Sequence, residues 1–202
     1  MPVANIIGIV GSYRENGVND QLVTEILAGA AEAGATTRRV FLPDVDIEFC
    51  TNCRACMQEP GDEPGRCIHN DAMAELLDAC VHADGIVLAS PVNMGAVTAI
   101  MKRFMERLVA LGYWPWGTPA PKMREGITPK SAVLVITSAA PTIAWRVGRF
   151  TAETTMRNVA KMLNAKRVRV LKYGLMGQQQ HPTISDTQRA EARKLGHWLV
   201  SK

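Results

Sequence analysis

Hydrophobic positions along the chain follow two alternating rhythms. Residues 4–10 ("ANIIGIV"), 84–90 ("DGIVLAS") and 131–140 ("SAVLVITSAA") are short apolar runs. Runs of that length with little polar alternation predict strands covered on both faces. Residues 36–43 ("TTRRVFLP") and 166–173 ("KRVRVLKY") add two more strands, the first closed by Pro43 and the second carrying alternating solvated charges. Between them lie segments of helical spacing. Residues 18–35 place Leu22, Ile26 and Leu27 on one face and stop at Gly34. Residues 70–83 place Met73, Leu76, Leu77 and Cys80 on one face, with Asn70 or Asp71 as N-cap. Residues 96–111, 149–165 and 185–201 complete the helices, the last with Ser185 as N-cap. The Pro- and Gly-rich stretch 112–130 ("GYWPWGTPAPKMREGITPK") reads as a loop.

Strands alternating with helices imply a parallel sheet with right-handed crossovers. In such sheets ligands bind beyond the carboxyl ends of the strands, where the strand order reverses. The loops "GSYRENGVN" (11–19), "SPVNMGA" (90–96) and "TSAAPT" (137–142) should therefore converge. All three are built of small and polar residues, as a main chain needs when it approaches a flat or charged ligand.

Composition narrows the class. With 202 residues, 47% hydrophobic and 21% charged, the chain suits one globular domain over 1–202. No apolar run reaches the ~18 residues of a membrane span. No leader is legible at the N-terminus, so a cytoplasmic protein with reduced thiols is expected. The net charge of +4 is too dispersed to argue for nucleic acid.

The first loop precedes a helix N-terminus, where open N–H groups and the helix dipole favour an anion. Ser12, Arg14 and Asn19 add side-chain donors, and Gly11 and Gly17 permit close approach. The loop is neither G-x-G-x-x-G nor G-x-x-x-x-G-K-[ST], which argues against a dinucleotide fingerprint and a P-loop.

Residues 11–22 ("GSYRENGVNDQL") resemble the phosphate loop of the NADPH-dependent FMN reductases, G-S-x-R-x-x-[GS]-x-[TS]-x-x-L. Residues 83–108 resemble their second flavin loop, and the intervening cysteines resemble a narrower branch, the iron-sulfur flavoproteins. The resemblance implies an α/β, flavodoxin-like doubly wound five-stranded parallel sheet with helices on both faces. It implies FMN as cofactor, NAD(P)H as electron donor and a homodimer or homotetramer. Ser12, Arg14, Gly17, Val18 and Asn19 would hold the FMN phosphate. Pro91, Val92, Asn93, Met94 and Gly95 would lie along the isoalloxazine ring, and Ser138, Ala139 and Ala140 would close its pyrimidine side. Two residues depart from the pattern: Asn19 stands where Thr or Ser is usual, and Asn93 where an aromatic residue is usual. Asn93 cannot stack on a ring as Tyr does. The flavin carries the redox chemistry, so no protein acid or base is assigned.

Four of the five cysteines fall in the loop 49–69. Cys50, Cys53 and Cys56 are spaced C-x2-C-x2-C, and Cys67 follows after a return containing two Pro and two Gly. Such a set can hold a [4Fe–4S] cluster. Zinc, which prefers two separated C-x2–4-C pairs, and bare thiols are the alternatives. Cys80 falls at a helical core position. His69, close to Cys67, is read as an exposed helix-entry residue, with a ligand of the cysteine site as the alternative. Trp114 and Trp116 cap a ligand, line a subunit contact or merely pack their loop, and Trp145 is a candidate to face the site.

The expected function is FMN-dependent reduction of a small acceptor such as a quinone or flavin by NAD(P)H, with the cluster as a possible addition. The alternative is an iron-sulfur flavoprotein that transfers electrons, for instance to a ferredoxin-like carrier, without a small-molecule substrate.

Overall fold

The computed structural model describes residues 3–147 and 150–201. A five-stranded parallel sheet forms the centre, built from β1 (Asn5–Val10), β2 (Thr36–Phe41), β3 (Gly85–Pro91), β6 (Lys130–Thr137) and β7 (Ala165–Tyr173). Its order is β2-β1-β3-β6-β7, the flavodoxin-like order 2-1-3-4-5. The order reverses at β1 and β3, so a crevice opens beyond their carboxyl ends, as the alternation of elements predicted.

Strand residues alternate between two cores. Ile6, Val10, Val87 and Val133 face α1 (Val18–Glu32) and α6 (Asp186–Val200). Ile7, Ile9, Ile86 and Leu134 face α2 (Met73–His82), α3 (Ala99–Arg107) and α5 (Ala152–Met162). Both faces are buried, which is why the central strands carry unbroken apolar runs. Edge strand β7 is largely uncovered, and Arg167 and Arg169 reach over the Trp198 ring at 4.7 and 5.4 Å. Charges on an exposed edge discourage pairing with another chain.

Helices α1 and α6 pack unusually close. A Cβ at Gly29 would collide with the backbone of Arg193, and one at Gly196 with the backbone of Ile26 and Ala30. The rim of this contact is ionic: Glu25 takes Arg189 and Arg193, and Glu32 takes Arg193 and His197. Ser185 caps α6 in a full capping box with Gln188, as its sequence position indicated.

Three expectations need correction. Neither Asn70 nor Asp71 is the N-cap of α2; the helix starts after Ala72, and the Asp71 carboxylate is drawn into an ion pair. The stretch 112–130 is not wholly loop, because β4 (Gly112–Tyr113) and β5 (Lys122–Met123) pair antiparallel. The helix expected from 149 begins at Ala152, preceded by a short turn α4 (Ala144–Val147), and Arg149 lies outside the described residues. Among the described residues no helix is long and apolar enough to cross a membrane.

Candidate functional site

The carboxyl ends of β1, β3 and β6 open into a cleft of about 330 Å³. Ser12, Arg14, Gly17, Val18 and Asn19 line one wall. Pro91, Val92 and Asn93 line the second, and Ser138 and Ala139 the third. The remaining expected residues stand apart from this lining. Met94 is fully exposed at the tip of its loop with φ +49°, and Gly95 beside it has φ +79°. The Ala140 carbonyl is occupied by donors from Ser138 Oγ and Leu175 N.

No side chain caps α1 at Gly17, so first-turn N–H groups stay available to a ligand. Ser12 is buried, and its Oγ accepts from Arg14 N at 3.2 Å, which leaves the hydroxyl proton free to donate. Asn19 is 4% exposed; its Nδ2 donates to Thr137 Oγ1 at 2.7 Å, and its Oδ1 has no partner. A half rotation of the amide lets the Thr137 hydroxyl donate to Oδ1 and turns the Nδ2 donor to the cleft. Open helix N–H groups, a free hydroxyl, an amide and the exposed Arg14 guanidinium together suit a phosphate. The residues present therefore fit an FMN phosphate.

Thr98 joins two of the walls. Its Oγ1 donates to Gly11 O at 2.6 Å and accepts from Met101 N, capping α3. Tyr13 and Thr137 lie on the cleft in loops expected to converge there, although neither had an assigned role, and Thr98, Met176, Gly177 and Pro182 on the cleft were missed. The segment after β7 carried one signal: it too leaves the carboxyl edge of the sheet. Trp145 does not line the cleft; it donates from Nε1 to Ser138 Oγ at 3.0 Å and braces the third wall from behind.

The cysteine loop forms a second site. Cys50, Cys53, Cys56 and Cys67 border one small cavity of about 20 Å³. The Pro/Gly-rich return wraps the buried Arg124, which donates to the carbonyls of Cys56, Glu59, Gly61 and Ala110. Gly65 then passes so close to the Cys56 carbonyl that no Cβ fits between them. That close approach delivers Cys67 to the other three. Cys53 is exposed and Cys56 buried. Burial, then the Cys67, Cys50 and Cys53 sulfurs, push the Cys56 thiol up. Hydrogen bonds from the Ala55 main chain and the Thr51 side chain pull Cys53 down. Cys80 lies apart in the core, its thiol pushed up to about 12 by burial.

Among the described residues no three His, Cys, Asp or Glu side chains stand at metal-binding distances. The donor set nevertheless fits a soft metal centre by its chemistry: four thiols on one cavity, with cationic and imidazole groups beside them.

His69 is corrected from a solvent position: its Nε2 is buried without a partner and the ring borders the cysteine cavity. Arg107, also missed, is 4% exposed and pairs with Asp71 at 2.5 Å. Burial alone would raise the Asp71 carboxyl, but Arg107 and the N–H groups of Glu48 and Met73 outweigh it and hold it low. The signal for Arg107 was its place three residues after Phe104 and seven after Ile100, a charge on an apolar helix face. Trp114 and Trp116 clamp the Arg54 guanidinium at 3.8 and 4.1 Å, tying the cysteine loop to the β4–β5 ribbon. Trp114 also packs its own loop, donating from Nε1 to Thr118 O at 2.9 Å.

The family model for NADPH-dependent FMN reductase matches residues 4–178, and the chain belongs to that family. It is 39% identical over 102 residues to an iron-sulfur flavoprotein of Methanocaldococcus jannaschii, a match covering 50% of each chain. To an iron-sulfur flavoprotein of Archaeoglobus fulgidus it is 32% identical over 109 residues, 54% of this chain and 47% of that one. The match thus spans about half the length of these curated relatives. Among solved structures, an NAD(P)H:quinone oxidoreductase from Methanothermobacter marburgensis superposes with TM-score 0.68 at 16% identity, covering 97% of this chain and 98% of the other. At that identity the likeness speaks for the fold.

Proposed function

We propose that the protein is an FMN-dependent NAD(P)H oxidoreductase that reduces a small acceptor, a quinone or free flavin, and that Cys50, Cys53, Cys56 and Cys67 hold a [4Fe–4S] cluster. The observation that carries the first half is the buried Asn19 amide, which after a half rotation accepts from Thr137 at Oδ1 and offers its Nδ2 donor to the cleft beside the uncapped start of α1. Buried polar atoms are rarely left unpaired without a reason. FMN, when bound, supplies the hydride and single-electron chemistry. The chain binds and orients: Ser12, Asn19, Arg14 and the α1 N–H groups take the phosphate. The backbone of 91–93 flanks the ring, and Ser138 and Ala139 close its pyrimidine side. Thr98 keeps the first two walls in register through Gly11.

A second reading, electron transfer without a small-molecule substrate, draws on the cysteine cavity and on the names of the curated relatives. A ferredoxin-like carrier is then the partner. Self-association into a dimer or tetramer is supported by the exposed Tyr13 and Met94 near the cleft, which a second copy would cover.

Anaerobic purification with flavin, iron and acid-labile sulfide assays, followed by NAD(P)H oxidation with a quinone, tests both. Flavin with turnover supports the enzyme. Flavin and iron without turnover favour the carrier reading. Protein that takes up no FMN overturns both.

A further inference from the structure

Arg107 is an odd residue to find inside the α3 face. Its side chain and that of Asp71 are each 2% exposed, and both terminal nitrogens are used. Nη1 donates to Asp71 Oδ2 and, at 2.8 Å, to Glu48 O. Nη2 donates to Asp71 Oδ1 at 3.1 Å and to Cys67 Sγ at 3.4 Å. Stability does not explain this arrangement, since apolar replacements for a buried ion pair are often neutral or stabilising. What the pair does achieve is direction. Asp71 grips one edge of the guanidinium, and one cationic N–H of Nη2 is aimed at Cys67 Sγ on the cysteine cavity. The same cavity is bordered by His69, whose Nε2 is buried without a partner. Buried ring nitrogens are seldom left without a bond, and this one belongs to a residue on the cavity wall.

We propose that Arg107 and His69 are positioning residues of the cysteine centre: Arg107 fixes Cys67, and both turn N–H donors toward the sulfur-ligated occupant of the cavity. The proposal rests on reading residues 50–67 as a thiolate metal centre. Asp71 acts through Arg107 and, among the described residues, bonds to no sulfur. Donors to sulfur and nearby positive charge stabilise the reduced, more negative state of a cluster, so they raise its potential. Arg107 remains cationic throughout, and no titration is involved.

The test uses the full chain, with Arg107→Gln, Arg107→Lys, Asp71→Asn and His69→Leu compared with wild type in two arms. In the first, protein reconstituted with iron and sulfide is titrated reductively under electron paramagnetic resonance. Arg107→Gln should lower the equilibrium constant for one-electron reduction about tenfold, about 59 mV. His69→Leu should shift it the same way by less, and Arg107→Lys should recover part of the loss. In the second arm, apo protein is titrated with Co²⁺ and the thiolate-to-cobalt absorption is followed. Arg107→Gln should weaken Co²⁺ binding about tenfold, with Asp71→Asn intermediate. Should Arg107→Gln fail to fold, Arg107→Lys and Asp71→Asn carry both arms. A wild type that binds Co²⁺ but assembles no iron and sulfide defeats the cluster reading alone, and the proposal is then judged on cobalt. Unchanged potential and unchanged cobalt affinity in the Arg107 variants overturn it, as does a wild type that binds neither.

Discussion

Removing the two side-chain donors of the first loop, Ser12 and Arg14, should weaken FMN binding by different amounts and in different ways. Ser12 is 5% exposed, with its hydroxyl proton free. A bond from it to a phosphate is charge-assisted and shielded from water. Its loss in Ser12→Ala should cost about 1.5–3 kcal/mol, roughly 10- to 150-fold in Kd. Arg14 is exposed and, among the described residues, makes no ion pair. Its contribution is that of a surface pair, about 0.2–1 kcal/mol, or about 1.5- to 5-fold. It should shrink further in 0.5 M salt, where the Debye length is only a few ångströms. The Ser12 effect should hardly respond to salt. The assay is titration of FMN fluorescence quenching at low and high ionic strength, with each single variant and the double. Two results would refute the reasoning: an Arg14→Ala penalty equal to that of Ser12→Ala and indifferent to salt, or flavin affinity unchanged in the double variant.

Three further outcomes are expected. Gly196→Ala gains about 1 kcal/mol of helix propensity but forces α1 and α6 apart at a typical overpacking cost of about 1–3 kcal/mol or more; urea unfolding should show net destabilisation, and a variant as stable as wild type would contradict the close contact. Cys53→Ser should leave Tm and FMN affinity nearly unchanged because Cys53 is exposed, whereas Cys56→Ser should cost about 1–2 kcal/mol because that thiol joins the core; unfolding of both would mark the centre as structural. Burial holds the Lys130 ammonium down at about 8 against a usual 10.5, with Nζ donating to Val81 O at 2.8 Å. Between those values the unfolded chain binds the proton and the folded chain does not. Stability should therefore rise by an amount of order 3 kcal/mol as pH climbs through that window. Lys130→Met should flatten the rise, and chemical denaturation at pH 7, 8, 9 and 10 measures it.

Sequence by itself determined the elements and the side of the sheet where ligands meet. Apolar runs, helical spacing, Gly34 as a stop and Ser185 as a cap act within a few residues, so local pattern suffices to read them. The convergence of residues 12–19, 91–93 and 138–139 followed from one topological rule applied to the order of elements, and Cys80 followed from its place on a helical face. Packing decided the rest. Asn19 meets Thr137 across 118 positions, and Arg107 meets Asp71 across 36. His69 borders the cysteine cavity in spite of its exposed neighbours in the chain, and Trp116 finds Arg54 only once the ribbon folds back. Met94 sits at the apex of its loop, fully exposed, although its place in the chain pointed to the cleft. Each of these contacts joins segments distant in the chain, where no local spacing rule reaches. A charge on an apolar helix face announces that it must be paired, but only the packed structure supplies the partner.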